Sequence, residues 1–140
     1  LFTEAMGRLP DEYYAMRQLQ IEATSGVVLT SDPVLRRLQI ALLDRIPEGK
    51  ASLSNTAQDL NISARTLQRR LDKHGLAFQG VLDGVREALA SRYLTRTSLT
   101  LAEISQLLGY SEQSAFNRAF LAWVGKTPGQ VRNASQNLIR

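Results

Sequence analysis

The segment SLSNTAQDLNISARTLQRRL, residues 52–71, decides the fold that we predict for this chain. A short helix fits its first half, and Asn61 can then adopt the left-handed conformation that turns the chain. Ser63 is a good N-cap for a second helix, in which Leu67 and Leu71 share one face. Two short helices joined by a tight turn form the helix-turn-helix pattern.

A second copy of this pattern follows in TLAEISQLLGYSEQSAFNRAF, residues 100–120. Gly109 takes the place of the turn residue, Ser111 is the predicted N-cap, and Phe116 and Phe120 replace the two buried leucines. The second copy has one extra residue between its turn and its first buried anchor. One such pattern is easily imitated by any two short helices, but two copies in one chain are a stronger indication.

A longer helix is predicted between the copies, from about Phe78 to Leu94, because its apolar residues recur at helical spacing. A helix of this size is roughly 25–30 Å long at about 1.5 Å per residue. One turn of duplex DNA is about 34 Å long. Such a spacer could therefore hold two recognition helices in successive major grooves on one side of the DNA.

The predicted fold is all-α, with two helix-turn-helix subdomains joined by a long linker helix and about seven helices in total. Helical periodicity covers almost the whole chain, and no hairpin signal lies outside a helical pattern. We divide the chain into a tail of a preceding sensor domain or a linker to it, a first subdomain, a linker helix and a second subdomain, at residues 1–31, 32–75, 76–97 and 98–140.

Charge is unevenly distributed over the 140 residues, whose net charge is +4. Residues 1–31 contain two cationic and four anionic side chains, whereas residues 32–140 contain 15 and 9. A basic portion of this kind favours a polyanionic partner such as nucleic acid, although a solvated basic surface would have the same composition.

Several classes of protein are excluded or disfavoured. The chain has no cysteine, so it has neither disulfides nor thiolate metal ligands. No apolar run could span a bilayer and no signal peptide is recognisable, so we expect a cytoplasmic protein that does not enter a membrane. Because the sequence begins with Leu1, we expect it to be part of a longer protein.

Enzymatic activity is not expected from the side chains present. The single histidine, His74, has no nucleophile or ligand partner near it in sequence, and no paired-carboxylate or metal-binding constellation is recognisable. We therefore predict no catalysis, no metal and no cofactor.

Outward-facing residues of the first recognition helix can read bases if Leu67 and Leu71 are buried. Arg65, Gln68 and Arg69 then point away from the core, and arginine and glutamine form bidentate pairs with guanine and adenine. Arg70 could bind a phosphate or be a solvated surface residue.

The second recognition helix offers Gln113, Ser114, Asn117 and Arg118 on its exposed side. These side chains supply hydrogen-bonding groups and little negative charge, as a DNA-reading surface requires. A competing interpretation remains for Arg69 and Arg118, since each could pair with a carboxylate from the linker region and only support the fold.

At these residues the chain resembles the AraC/XylS family of bacterial transcription regulators, over about residues 33–134. The most specific part is LAEISQLLGYSEQSAFNRAFLAWVGKTPGQVR, residues 101–132. The positions that match the family signature are Ile104, Gly109, Tyr110, Phe116, Arg118, Phe120, Gly125, Pro128 and Arg132. The chain departs from the common family residues at Asn61, Ser105, Ala122 and Val131.

The resemblance implies two homeodomain-like helix-turn-helix subdomains that read double-stranded promoter or operator DNA through the side chains named above. It also implies an N-terminal sensor domain before this part, through which any dimerisation would occur, and RNA polymerase as a further candidate partner. We predict a sequence-specific transcription regulator, with activation as the expected sign of regulation. The alternative is a helical interaction module that contacts the transcription machinery and has only weak affinity for DNA.

Overall fold

Helices are the only regular elements in residues 10–27 and 31–139, which are the residues that the computed structural model describes. This confirms the all-α prediction, with eight helices in the described ranges. They are α1 (Pro10–Thr24), α2 (Pro33–Arg45), α3 (Leu53–Asp59), α4 (Ala64–Lys73), α5 (Phe78–Arg96), α6 (Leu101–Leu107), α7 (Gln113–Val124) and α8 (Pro128–Ile139).

The first helix-turn-helix unit consists of α3 and α4, and both pack on α2. Local chemistry determines its turn: the Ser63 hydroxyl accepts from the Thr66 N–H at 3.0 Å, and Asn61 has a φ of 58°. Leu67 and Leu71 of α4 are fully buried, as predicted. Truncating either to alanine would cost about 2–5 kcal/mol of stability.

The linker helix α5 lies at the centre of the molecule and contacts α1, α2, α6 and α8. Its predicted apolar stripe is buried, from Val81 through Val85 and Leu89 to Tyr93. The buried side chains of both helix-turn-helix units form one continuous core with this stripe. The two units are therefore parts of a single packed body.

The second unit, α6 and α7, packs on α5 and α8. Thr100 and Glu103 form a capping box at the start of α6, with the Glu103 N–H donating to the Thr100 hydroxyl at 3.1 Å. The predicted cap at Ser111 is wrong, because the N-cap of α7 is Glu112, whose side chain makes no capping hydrogen bond. The extra residue of the second copy lies before the helix, so that α7 begins one position later after its turn than α4 does.

Helix α1 packs on α5 and α2. The Gln20 amide of α1 donates to the buried Tyr93 hydroxyl at 2.9 Å, and Arg17 forms an ion pair with Asp44 of α2. Residues 1–9 and 28–30 of the predicted N-terminal segment lie outside the described residues. The domain boundaries predicted above remain predictions.

Candidate nucleic-acid interface

Helix α4 presents Arg65 and Arg69, one helical turn apart, on its exposed side. Within the described part of the chain, neither guanidinium has a hydrogen bond or an ion pair. Gln68, which is half-buried, lies beside them on α4, and its amide donates to Asp72 Oδ1 at 2.9 Å, a contact within the same helix. The structure therefore brings these three predicted base readers together on one side of α4.

Arg70 has a different environment from its neighbours. Its guanidinium lies 3.2 Å from the Asp32 carboxylate, which also accepts from the Val34 N–H at 2.9 Å and lies 3.4 Å from His74 Nε2. Partial burial would raise the pKa of Asp32, but the Val34 N–H, Arg70 and His74 together lower it. Arg70 thus ties α4 to the N-terminus of α2.

The role of Asp32 goes beyond the helix cap that its sequence context indicates. The sequence Asp32-Pro33 predicts only the helix cap. It does not predict the contacts of Asp32 with Arg70 and His74, because these residues are distant in the chain. The side chain of Asp32 is 7% exposed, so its charge is satisfied internally and is largely shielded from an approaching polyanion.

Helix α7 exposes Gln113, Ser114 and Arg118. Among the described residues none of these three side chains has a hydrogen-bond or ion-pair partner, so the carboxylate pairing considered for Arg118 is not observed, as it is not for Arg69. Asn117 is half-buried, and its Oδ1 atom is buried without a hydrogen-bond partner. The predicted readers of the second unit thus share one helix, but Asn117 lies deeper than the others.

A row of aromatic rings supports α7 from the inside. The ring of Tyr110 lies 5.9 Å from that of Phe116, which lies 5.8 Å from Phe120, and Trp123 follows at 6.5 Å. Phe116 and Phe120 are fully buried. Such tilted and edge-on aromatic pairs add to the apolar burial and restrict the orientation of the helix.

The described residues contain no group of three or more histidine, cysteine, aspartate or glutamate side chains that could hold a metal ion. None of the helices in these ranges is both long enough and apolar enough to be a membrane span.

Comparison with known proteins identifies the fold and its role. A family model of a helix-turn-helix domain, of the AraC type, matches residues 56–134. The chain belongs to the AraC family of transcription regulators. This AraC-family chain is similar to the ornithine utilization regulator of Pseudomonas aeruginosa, with 41% identity over 119 residues that cover 85% of the chain and 35% of that regulator.

Two further similarities agree with this assignment. The transcriptional regulator VirS of Mycobacterium tuberculosis is 44% identical over 105 residues, covering 74% of the AraC-family chain and 31% of VirS. The solved C-terminal domain of AraT, a response regulator from Geobacillus stearothermophilus, superimposes with a TM-score of 0.65 at 29% identity, over 74% of this chain and 86% of that domain.

The AraC-family chain spans about a third of the length of the curated relatives that it matches, 35% and 31% in these two cases. It contains the DNA-binding domain of a transcription regulator, and the interaction-module alternative is not favoured.

Proposed function

We propose that this domain binds promoter DNA sequence-specifically, with α4 and α7 in successive major grooves of one site. The observation that carries the proposal is that the second helix of each unit exposes an arginine with no partner within the described residues, Arg69 in α4 and Arg118 in α7. The two helices differ in sequence, so the site for one chain is asymmetric.

In the first groove, Arg65 and Arg69 are proposed to contact guanine O6 and N7, and Gln68 adenine N6 and N7. Gln68 would exchange its bond to Asp72 for the base. Arg70 is proposed only as a phosphate contact, because its pairing with Asp32 restricts its reach.

In the second groove, Gln113, Ser114 and Arg118 are proposed to read bases directly. Asn117 is proposed to read a base through its outer amide nitrogen, since its oxygen is buried. This pattern makes the second half-site less dependent on guanine than the first.

We propose further that the whole protein activates transcription in the cytoplasm and contacts RNA polymerase, and that any dimerisation uses a domain preceding this one. No reaction, metal or cofactor is part of the proposal.

Selection of binding sites from random duplex DNA tests the proposal, followed by titration of the selected site across salt. Arg69→Ala should lose about 1–3 kcal/mol of binding free energy and relax the preference at one base pair. Affinity should fall steeply with salt, since lysine and arginine displace counterions from phosphates.

Arg37→Ala is the matched control, because Arg37 is an exposed cation of α2, which lies outside both recognition helices. It should leave both affinity and motif unchanged. Equal affinity of the parent chain for every duplex, or no binding to any, would contradict the proposal and support the interaction module.

A further inference from the structure

The turn of the second helix-turn-helix unit contacts the backbone that follows α2. Gly109 has a φ of +84°, and a Cβ atom at this position would lie 2.4 Å from the Ile46 carbonyl oxygen and 3.5 Å from Gly49 Cα. An ordinary side chain cannot fit at that distance from a carbonyl. The second helix-turn-helix unit therefore contacts the segment that leads from α2 into the first unit, in addition to being joined to that unit through α5.

Arg86 of the linker helix contacts the residues on both sides of Gly109. Its Nε–H donates to the Leu108 carbonyl oxygen at 3.1 Å, and its guanidinium carbon lies 5.1 Å from the centroid of the Tyr110 ring. Its Nη2 atom is 3.5 Å from the place that a Gly109 Cβ would occupy. One side chain of α5 thus satisfies a free carbonyl at the end of α6 and covers the turn residues on both sides of Gly109.

The contact continues into the second recognition helix. Tyr110, beneath the Arg86 guanidinium, lies against Phe116, the first buried anchor of α7. A displacement of Arg86 would therefore be transmitted through two packed rings to the helix that carries Arg118. Close-packed interiors transmit such displacements because they contain little free volume.

We propose that the junction formed by Arg86, Gly109, Ile46 and Gly49 sets the distance and the rotational phase between the two recognition helices, and thereby the half-site spacing that the domain accepts. Arg86 is in this sense a positioning residue. This inference rests on the proposed function.

Half-site spacing is a sensitive measure of this role. One base pair inserted between the half-sites moves them apart by about 3.4 Å and rotates them by about 36°, since a turn of 10–10.5 base pairs is about 34–36 Å long. A rigid protein cannot follow that change and loses contacts in one groove. A protein with a loosened junction can follow it at a smaller loss.

The first experiment measures affinity for the selected site and for the same site with one base pair inserted or removed between its halves. The parent chain should lose about tenfold or more in affinity on either change, the size expected when contacts to one or two base pairs are lost. Arg86→Ala should bind the selected site more weakly and show a spacing penalty of about threefold or less. Arg92→Ala, which also removes a cation from α5, should keep the full penalty.

The second experiment needs no DNA and covers the case in which Arg86→Ala binds poorly. The chain has no cysteine, so Lys73→Cys at the end of α4 and Lys126→Cys just after α7 can carry spin labels without competing sites. The distribution of distances between the labels should be narrow in the parent chain and broader in Arg86→Ala. The width in Arg86→Lys should be intermediate between these two.

The outcomes separate the two ideas. A parent chain that binds no duplex selectively contradicts the proposed function, whatever the labels show. A parent chain that binds its site, while Arg86→Ala keeps both the full spacing penalty and the narrow distance distribution, overturns the junction. A broad distribution in the parent chain overturns it as well.

Discussion

Gly80 and Gly84 are both interior residues of α5, but their surroundings differ. A Cβ atom at Gly80 would meet nothing within 4 Å, whereas at Gly84 it would lie 3.0 Å from Val27 Cγ1. From the sequence, both glycines only weaken the helix. In the structure Gly84 also has a role in packing, because its lack of a side chain allows the segment after α1 to approach the linker helix.

Alanine should therefore have different effects on stability at these two positions. Gly80→Ala should raise the free energy of unfolding by about 0.5–1 kcal/mol, because alanine restricts the unfolded chain and suits a helix. Gly84→Ala should gain less or lose stability, because Val27 must move, whereas the same change made in a Val27→Ala background should give the full gain relative to that background. Urea unfolding followed by circular dichroism measures these changes, and equal gains from Gly80→Ala and Gly84→Ala in the parent chain would contradict the packing argument.

At the residue scale, the two turn residues could be foreseen from the sequence, but the partner of Arg86 could not. The sequence marks Asn61 and Gly109 as turn residues, and both have positive φ. It contains no signal that Arg86 would cap the turn after α6, because the pairing of an arginine with a carbonyl 22 residues away depends on how the helices pack.

At the scale of elements, the C-terminal end of α5 is held by one side chain from α8. Arg132 donates to the carbonyl oxygens of Leu94 and Tyr93, each at 3.1 Å, and also to those of Thr97 and Leu99. The last carbonyls of a helix have no partner within the helix, and a cation there also interacts favourably with the helix dipole. Arg132 therefore attaches α8 to the linker helix.

Arg132→Ala should accordingly lower the free energy of unfolding by about 2–4 kcal/mol, because it leaves several partly buried carbonyls without a donor. Arg132→Lys should recover part of this loss. Arg96→Ala removes an exposed cation from the same end of α5 and should change stability by less than about 0.5 kcal/mol. Urea unfolding again provides the measurement, and an Arg132→Ala variant as stable as the parent would refute the role assigned here.

Helix boundaries and caps were largely predictable because they depend on residues within one turn. Ser52 and Ser63 act as N-caps through hydroxyl groups that accept from N–H groups three residues on. Ser111 is the exception, since one additional residue before α7 shifted the cap to Glu112. Alignment of the two copies could not reveal on which side of the helix start that residue would lie.

At the scale of the whole molecule, three carboxyl groups make the stability of the fold depend on pH in the acid range. The side-chain hydrogen bond from Arg45 lowers the pKa of Asp59, and the Thr100 backbone N–H, followed by its side chain, lowers the pKa of Glu103. The pKa of Asp32 is lowered as well. Each group therefore stabilises the fold fully above its unfolded pKa, which is about 4.

The stability that these three groups contribute should consequently be lost as the pH drops below about 4, through the lowered pKa values of the folded state. Asp59→Asn should reduce the steepness of this acid loss, because it removes one of the three linked carboxyls. Glu87→Gln is the charge-matched control. Urea midpoints measured at stepped pH test this, and an unchanged acid slope in Asp59→Asn would count against it.

Sequence alone predicted the helical class, the duplicated helix-turn-helix unit, the buried stripe of the linker helix and the face of each recognition helix. These features follow from periodicity, caps and turn residues, which act over a few positions. Only the tertiary structure placed Arg70 on Asp32, Arg132 at the end of α5 and Gly109 against Ile46. Those partners are distant in the chain, and they meet only because the core of both units packs around one helix.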